Sequence, residues 1–301
     1  MKALVTGGAG FIGSHLTRRL LDEGWQVVVV DDLSNGFEKN LPSGVEFVRG
    51  SAGDSVLLAK VMPGCGVIFH LAAVSSVVDS IERPLEVHDI NLTTTLALLE
   101  AAVRHGVPRF VFSSSAAVYG DAGSGSIDED APKNPLSHYA VQKLASEYYC
   151  GVYHRLHGLE TVRLRYFNVF GERQREDSPY TGVITKFLTA AREGRPVTIF
   201  GDGSQSRDFV YVGDVAAANF AAATKDATVV SGGVFNVGAG DSVSVLALAA
   251  MVRDRFPHVA RPAYESARPG EILHSKADIS WAREALGFAA RGCLHDFIAT
   301  A

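Results

Sequence analysis

Tyr139 and Lys143 stand four residues apart in SHYAVQKLASEYY, a spacing that sets both side chains on one face of a helix. An ammonium beside a phenol favours the phenolate and draws the tyrosine pKa toward working pH, so Tyr139 is a candidate general base. None of the other eight tyrosines has a lysine four residues on. Ser115 lies 24 residues earlier, in SSSAAVYG, where the apolar run PRFVF ends. A hydroxyl at a strand mouth and a tyrosine on the next helix can meet over one reacting carbon. Ala116 and Ala117 follow, with no proton to give or take. The set suits proton removal from an alcohol coupled to hydride transfer.

A hydride needs an acceptor, and the N-terminus offers it a cradle. KALVT runs into TGGAGFIG, with Gly7, Gly10 and Gly13 in a G-x-x-G-x-x-G spacing. Glycines there permit a tight turn, close backbone approach to a pyrophosphate and close packing of helix on strand; the helix N-terminus then faces the anion. The next strand, WQVVVVD, ends in Asp31, 18 residues past Gly13. A carboxylate there suits the 2′- and 3′-hydroxyls of an adenosine ribose. Together with Asp32 it would repel a 2′-phosphate. The reading is NAD rather than NADP.

Such groups need a parallel sheet to position them. KALVT, WQVVVVD, VEFVRG, GVIFHLAA, RFVFSSS and ETVRLRY alternate with helical patterns, and the strands are apolar almost throughout, as expected when helices cover both faces. That order predicts a right-handed, doubly wound α/β (Rossmann) sheet. NPLSHYAVQKLASEYYCGVYHRLHG reads as one helix, with Ser137 as N-cap and Gly158 past its end. The regularity stops near Asn168, and a helix near Val183–Glu193, a strand PVTIFG and the run RDFVYV follow. The expected division is a cofactor-binding domain over 1–167, completed by part of 208–237, with a smaller α/β substrate-binding cap over 168–207 and 238–301.

Bulk properties narrow the class. The 301 residues are 47% hydrophobic, enough for a large core. A net charge of −5 gives no nucleic-acid surface. No apolar stretch reaches the ~18 residues that a bilayer span needs. The start MKALVTGG has no signal-peptide anatomy, and three separated cysteines, Cys65, Cys150 and Cys293, read as reduced thiols. A cytoplasmic protein is expected. His154 and His157 lack a third ligand, so no metal site is expected.

TGGAGFIG, Asp31, FHLAA, SSSAAVYG, Tyr139-x-x-x-Lys143, LRYFNVFG, SRDFVYV and RPGE occur in the order found in extended short-chain dehydrogenase/reductases. Within them the chain most resembles the UDP-galactose 4-epimerase group of nucleotide-sugar epimerases, over nearly its whole length. The resemblance implies catalysis by Ser115, Tyr139 and Lys143. It implies NAD contacts from Gly7, Gly10, Phe11, Ile12, Gly13, Asp31, Asp32, Asn35, Leu71, Ala72, Ala73, Ser113, Tyr139 and Lys143. Asn168, Arg207, Arg268 and Glu271 would hold UDP, with Thr198 and Phe200 near the uracil. Ser75, Ser115, Arg175, Val183 and Ser275 would complete the substrate site. The resemblance also implies a homodimer through helices near Asn91–His105 and His138–His157.

The chain departs from that pattern in places. Ser51 stands where relatives often carry an adenine-binding acid, leaving Asp54 as a candidate substitute, and Ser75 stands where some carry a lysine. Relatives that dehydrate a sugar place Asp-Glu after the catalytic hydroxyl, and decarboxylases a Glu; Ala116 and Ala117 leave oxidation at C4 and return of the hydride. The expected activity is 4-epimerisation of UDP-glucose/UDP-galactose or UDP-glucuronate/UDP-galacturonate. Arg175, where glucuronate epimerases carry an arginine near the C6 carboxylate, favours the uronates, and Asn168 the neutral sugars. Ser275 replaces a bulky tyrosine of strict glucose/galactose epimerases, which leaves a UDP-N-acetylhexosamine 4-epimerase as an alternative. A nucleotide-sugar reductase is a second. A non-catalytic NAD sensor is disfavoured, because both Tyr139 and Lys143 are present.

Overall fold

The fold was analysed on a computed structural model that describes residues 1–175, 182–267 and 272–301. Its first half runs β1 (Lys2–Thr6), α1 (Phe11–Asp22), β2 (Gln26–Asp31), β3 (Glu46–Arg49), α2 (Ser55–Val61), β4 (Val67–His70), α3 (Val77–Glu82), α4 (Pro84–His88), α5 (Thr94–Arg104), β5 (Arg109–Ser115), α6 (His138–His157) and β6 (Glu160–Tyr166). The second half adds β7 (Asn168–Phe170), α7 (Val183–Arg192), β8 (Thr198–Phe200), β9 (Ser206–Arg207), β10 (Phe209–Tyr211), α8 (Val212–Thr224), α9 (Ala227–Val230), β11 (Val234–Val237), β12 (Val243–Ser244), α10 (Val245–Arg255), β13 (Ala263–Glu265), α11 (Ser280–Leu286) and α12 (Leu294–Thr300).

Seven strands form one parallel sheet in the order β11-β6-β5-β4-β1-β2-β3. The pleat sends alternate residues of each strand to opposite faces. Ala3 and Val5 pack with α1 and α8, whereas Leu4 joins Leu58 of α2 and Leu98 of α5. Both faces are buried, which is why the strands are apolar almost without interruption. The strand order reverses at β1, between β4 and β2. A crevice therefore opens beyond the carboxyl ends of β1 and β4, the usual ligand position in such sheets.

A third core lies in the second half of the chain, where Phe170, Phe187, Leu188, Ile199, Leu248 and Ile298 pack together. Strand pairs β7–β10, β8–β13 and β9–β12 serve this part, while β11 returns to the edge of the main sheet. The helix expected over Ser137–Gly158 forms as read. Ser137 Oγ accepts the Ala140 N–H at 3.2 Å, and Gly158 closes the other end in the left-handed conformation.

Candidate active site

The glycine loop sits at the crevice. Gly7 has φ +72°, and a Cβ there would lie 2.7 Å from the Ala72 nitrogen, at the end of β4. A Cβ on Gly13 would run into the Gly7 carbonyl. Helix α1 begins at Phe11 with no side-chain cap, so its first turn is open to an anion. Asp31, buried, closes the arrangement: Oδ2 accepts the Ala9 N–H and Oδ1 the Leu33 N–H, both at 2.9 Å. Each oxygen keeps a lone pair for a ribose hydroxyl. A bare glycine cradle, an uncapped helix start and a buried carboxylate together fit a dinucleotide such as NAD.

Neighbouring calls divide. Asp32 is exposed and accepts from Ser34, and Ser75 is exposed on the loop after β4. Leu71 and Ala72 are tied to Thr6, the Leu71 N–H to its carbonyl at 3.1 Å. Asp54 is committed elsewhere: its carboxylate caps α2, accepting from Val56 and Leu57. Ser51 Oγ accepts the Gly53 N–H.

Strand β5 and helix α6 bring Ser115, Tyr139 and Lys143 together. The Tyr139 phenol neighbours the Ser115 side chain, whose Oγ accepts the Ala117 N–H at 3.2 Å. Lys143 Nζ donates to the Ser113 carbonyl at 2.7 Å, and lies 4.9 Å from the Phe112 ring centre and 5.8 Å from that of Tyr139. The expectation of a lowered tyrosine pKa is corrected here. Burial pushes the phenol above its ordinary value, with the neighbouring Ser115 side chain pulling partly back. Burial also draws Lys143 down to about 8. Both groups are enclosed, so desolvation of the charged forms outweighs the attraction that spacing alone implies.

A cavity of about 210 Å³ opens beside this cluster. Ser115, Ala116, Ala117, Asn168, Arg207 and Ser275 line it, together with Gly120, Ile127, Tyr166, Phe167 and Ile272. Four residues expected at the substrate (Ser115, Asn168, Arg207, Ser275) thus converge from β5, β7, β9 and the segment after 271. Val183 starts α7, and Thr198 and Phe200 form the ends of β8; none of the three lines this cavity. Arg268 and Glu271 lie outside the described residues.

Arg175 does not line this cavity. Its Nη1 donates to Asn35 Oδ1 at 2.9 Å, and its guanidinium lies 5.2 Å from the centre of the Phe37 ring. The loop that carries Asn35 is docked on the glycine loop, with Phe37 N–H and Asn40 Nδ2 both bonded to the Ala9 carbonyl. The chain beyond β7 turns at Arg173, with φ +66°, and crosses α1, where His15 meets the Glu172 carbonyl and Arg173 that of Asn40. That path carries Arg175 toward the cofactor loop.

Tyr166 was missed by the sequence reading. It pairs in register with Ser115, lines the cavity, and bonds Ser113 Oγ at 2.9 Å through its hydroxyl. The signal was the parallel register of RFVFSSS and ETVRLRY, which sets the two strand ends side by side.

Residues 3–238 match the NAD dependent epimerase/dehydratase family. A UDP-glucose 4-epimerase of Mycolicibacterium smegmatis is 40% identical over 314 aligned positions, covering 99% of this chain and 96% of that protein. The crystal structure of a UDP-N-acetylglucosamine 4-epimerase from Methanobrevibacter ruminantium, in complex with UDP-N-acetylmuramic acid, superposes with a TM-score of 0.93 at 37% identity, covering 99% and 96%. That of a UDP-glucuronic acid 4-epimerase from Bacillus cereus, with UDP-glucuronic acid and NAD, gives 0.90 at 35%, covering 99% and 96%. The chain belongs to the NAD-dependent epimerase/dehydratase family, and it is an enzyme whose cofactor is NAD.

Proposed function

We propose that this family member interconverts the C4 epimers of a UDP-hexose, with UDP-glucose/UDP-galactose as the first pair to test and UDP-glucuronate/UDP-galacturonate as the second. The meeting of Ser115, Tyr139 and Lys143 carries the reading, because Ser115 lines a cavity together with Ala116 and Ala117. NAD, when bound, supplies a reversible hydride acceptor. Tyr139 takes the proton of the 4-hydroxyl, Ser115 shares it, and Lys143 offers the phenolate a cation. With Ala116 and Ala117 rather than carboxylates following Ser115, the 4-keto sugar turns, takes the hydride back at C4 on its other face and receives the proton on the 4-oxygen. Asn168 and Arg207 hold the nucleotide end while the sugar end stays loose, and Arg207 suits a diphosphate.

The choice of sugar rests on less. Relatives at 35–40% identity act on three different sugars, so similarity does not select one. Arg175 lies beside the cofactor loop, which favours a neutral hexose over a uronate. Ser275 leaves room for an N-acetyl group, and a UDP-N-acetylhexosamine is the alternative substrate.

We further assign NAD binding to 1–167 with part of 208–237, and sugar binding to 168–207 and 238–301. A homodimer through α5 and α6 is supported by Val103, Val141, Tyr148, Tyr149 and Leu156, all exposed on those helices. Among the described residues no helix is long and apolar enough to cross a membrane, and buried free thiols at Cys65 and Cys150 suit the cytoplasm. The test is incubation of the purified protein with UDP-glucose, UDP-glucuronate and UDP-N-acetylglucosamine, without added NAD, followed by sugar NMR. Appearance of a C4 epimer without net redox change is expected. A reduced or dehydrated sugar product would overturn the proposal.

A further inference from the structure

Strand β6 buries Arg165 near its carboxyl end, where an ion is costly unless fully partnered. Its partner is Glu147 of α6, equally buried. Arg165 Nε donates to Glu147 Oε1 at 2.9 Å and Nη2 to Oε2 at 2.7 Å. The same Oε1 accepts Ser114 Oγ at 2.5 Å. Arg165 Nη1 donates to Tyr119 Oη at 2.8 Å and to the Glu129 carbonyl at 2.9 Å, and Tyr119 continues to Asn236 Oδ1 at 2.7 Å.

Each partner borders the reacting groups. Ser114 lies between Ser113, whose carbonyl holds Lys143, and Ser115, which neighbours the Tyr139 phenol. Tyr119 ends the short turn that begins with Ala116 and Ala117. Glu147 is one helical turn past Lys143. We propose that the buried Glu147–Arg165 pair is a positioning device for the active site: it fixes the end of β5 through Ser114, fixes the Ala116–Tyr119 turn through Tyr119, and sets the electrostatic surroundings of Lys143. The inference rests on the reading of Ser115, Tyr139 and Lys143 as catalytic. An apolar pair of similar volume would stabilise the fold as well or better, so stability alone does not account for the charges.

The groups that face Lys143 define the pH test. Tyr139, Glu147 and Cys150 share α6, and His70, whose pKa burial lowers to about 3 so that it is neutral above that pH, comes from β4; Arg163 and Arg165 of β6 act on Cys150 and Glu147. Of the other carboxylates on elements against α6, Glu100 is bonded to Tyr153, and Asp79 and Glu86 to Arg83. Glu147 raises the Lys143 pKa against burial.

The experiment compares Ser114→Ala, Glu147→Gln and the double variant Glu147→Gln/Arg165→Met with wild type. It reads kcat against pH, retained NAD, Tm, and the Lys143 titration by NMR of 13C-methylated lysines. Ser114→Ala is expected to fold, keep NAD and lose kcat by about 10- to 100-fold, the scale of a small misplacement. Glu147→Gln is expected to move the alkaline limb and the Lys143 titration together to lower pH. The double variant, which also removes the opposing cation, is expected to move both part of the way back. A purely structural pair would lower Tm and leave the limb and the titration in place; that result, or wild-type kcat in Ser114→Ala, overturns the proposal. Activity surviving in Tyr139→Phe would instead overturn the catalytic assignment, and the lysine titration tells the two failures apart.

Discussion

Ser115 of β5 and Tyr139 of α6 are neighbours, in a site where burial holds the phenol above its ordinary pKa. As the proposed base, Tyr139 works through its partners, since Ser115 alone relieves only part of that penalty. Tyr139→Phe is expected to abolish epimerisation while the protein still purifies with NAD, because the phenol is one contact among many and its loss leaves the glycine loop and Asp31 in place. Ser115→Ala is expected to lose about 10²- to 10⁴-fold in kcat. Turnover assays with NAD content measured on the same samples check both. Tyr139→Phe activity within about tenfold of wild type would remove Tyr139 as base.

The glycine loop, Asp31 and the Tyr139–Lys143 pair were legible because each is a short pattern tied to one element boundary. What escaped is long-range. Arg175 depends on a left-handed turn at Arg173 and on the path of a loop across α1, which no local pattern encodes. Glu147 and Arg165 read as a helix carboxylate and a strand cation, and only folding joins them. Tyr139 failed in a different way: spacing gave its neighbour correctly, but the balance between attraction and desolvation depends on burial.

Arg175 carries the next prediction. Its bond to Asn35 puts the guanidinium beside the loop packed on Ala9, so Arg175→Ala is expected to loosen NAD. The kcat/KM losses for UDP-glucose and UDP-glucuronate should then agree within about threefold, as expected for a change shared by both substrates. NAD released on dialysis and parallel kinetics give the answer. A loss confined to the uronate would place the arginine at the sugar.

Asp208 ties three segments of the chain together. Oδ1 accepts the Ala239 N–H at 2.5 Å, and Oδ2 accepts those of Gly240 and Ala277, each at 3.0 Å. Burial pushes its carboxyl up to about 6 from 3.8. A raised folded-state pKa means that the folded protein holds this proton more tightly. The stabilising contribution is thus complete below about 3.8, and is lost as pH rises through about 6. Asp208→Asn is expected to cost about 1–3 kcal/mol, since its amide cannot accept from all three donors. It should also remove this component from the pH dependence, as denaturant melts of both proteins between pH 4 and 7 would show. An unchanged pH profile in the variant would mean that Asp208 does not titrate in this window.

Ser275 carries the prediction on how large a sugar fits. Its N–H is held by the Ser206 carbonyl at 3.1 Å, and the residue lines the cavity opposite the strand end that carries Ser115. A serine hydroxyl leaves space that a C2 N-acetyl group can fill, whereas a tyrosine at this point would project into a cavity of only about 210 Å³. Ser275→Tyr is therefore expected to lower kcat/KM for UDP-N-acetylglucosamine by about 10²-fold relative to UDP-glucose, on the scale that steric exclusion from a pocket provides. The backbone bond to Ser206 does not involve the side chain, so Tm should stay close to wild type. Competition assays with both sugars in one tube measure the ratio directly. If both activities fall together, the tyrosine has blocked the nucleotide path, and Ser275 does not set the choice of sugar.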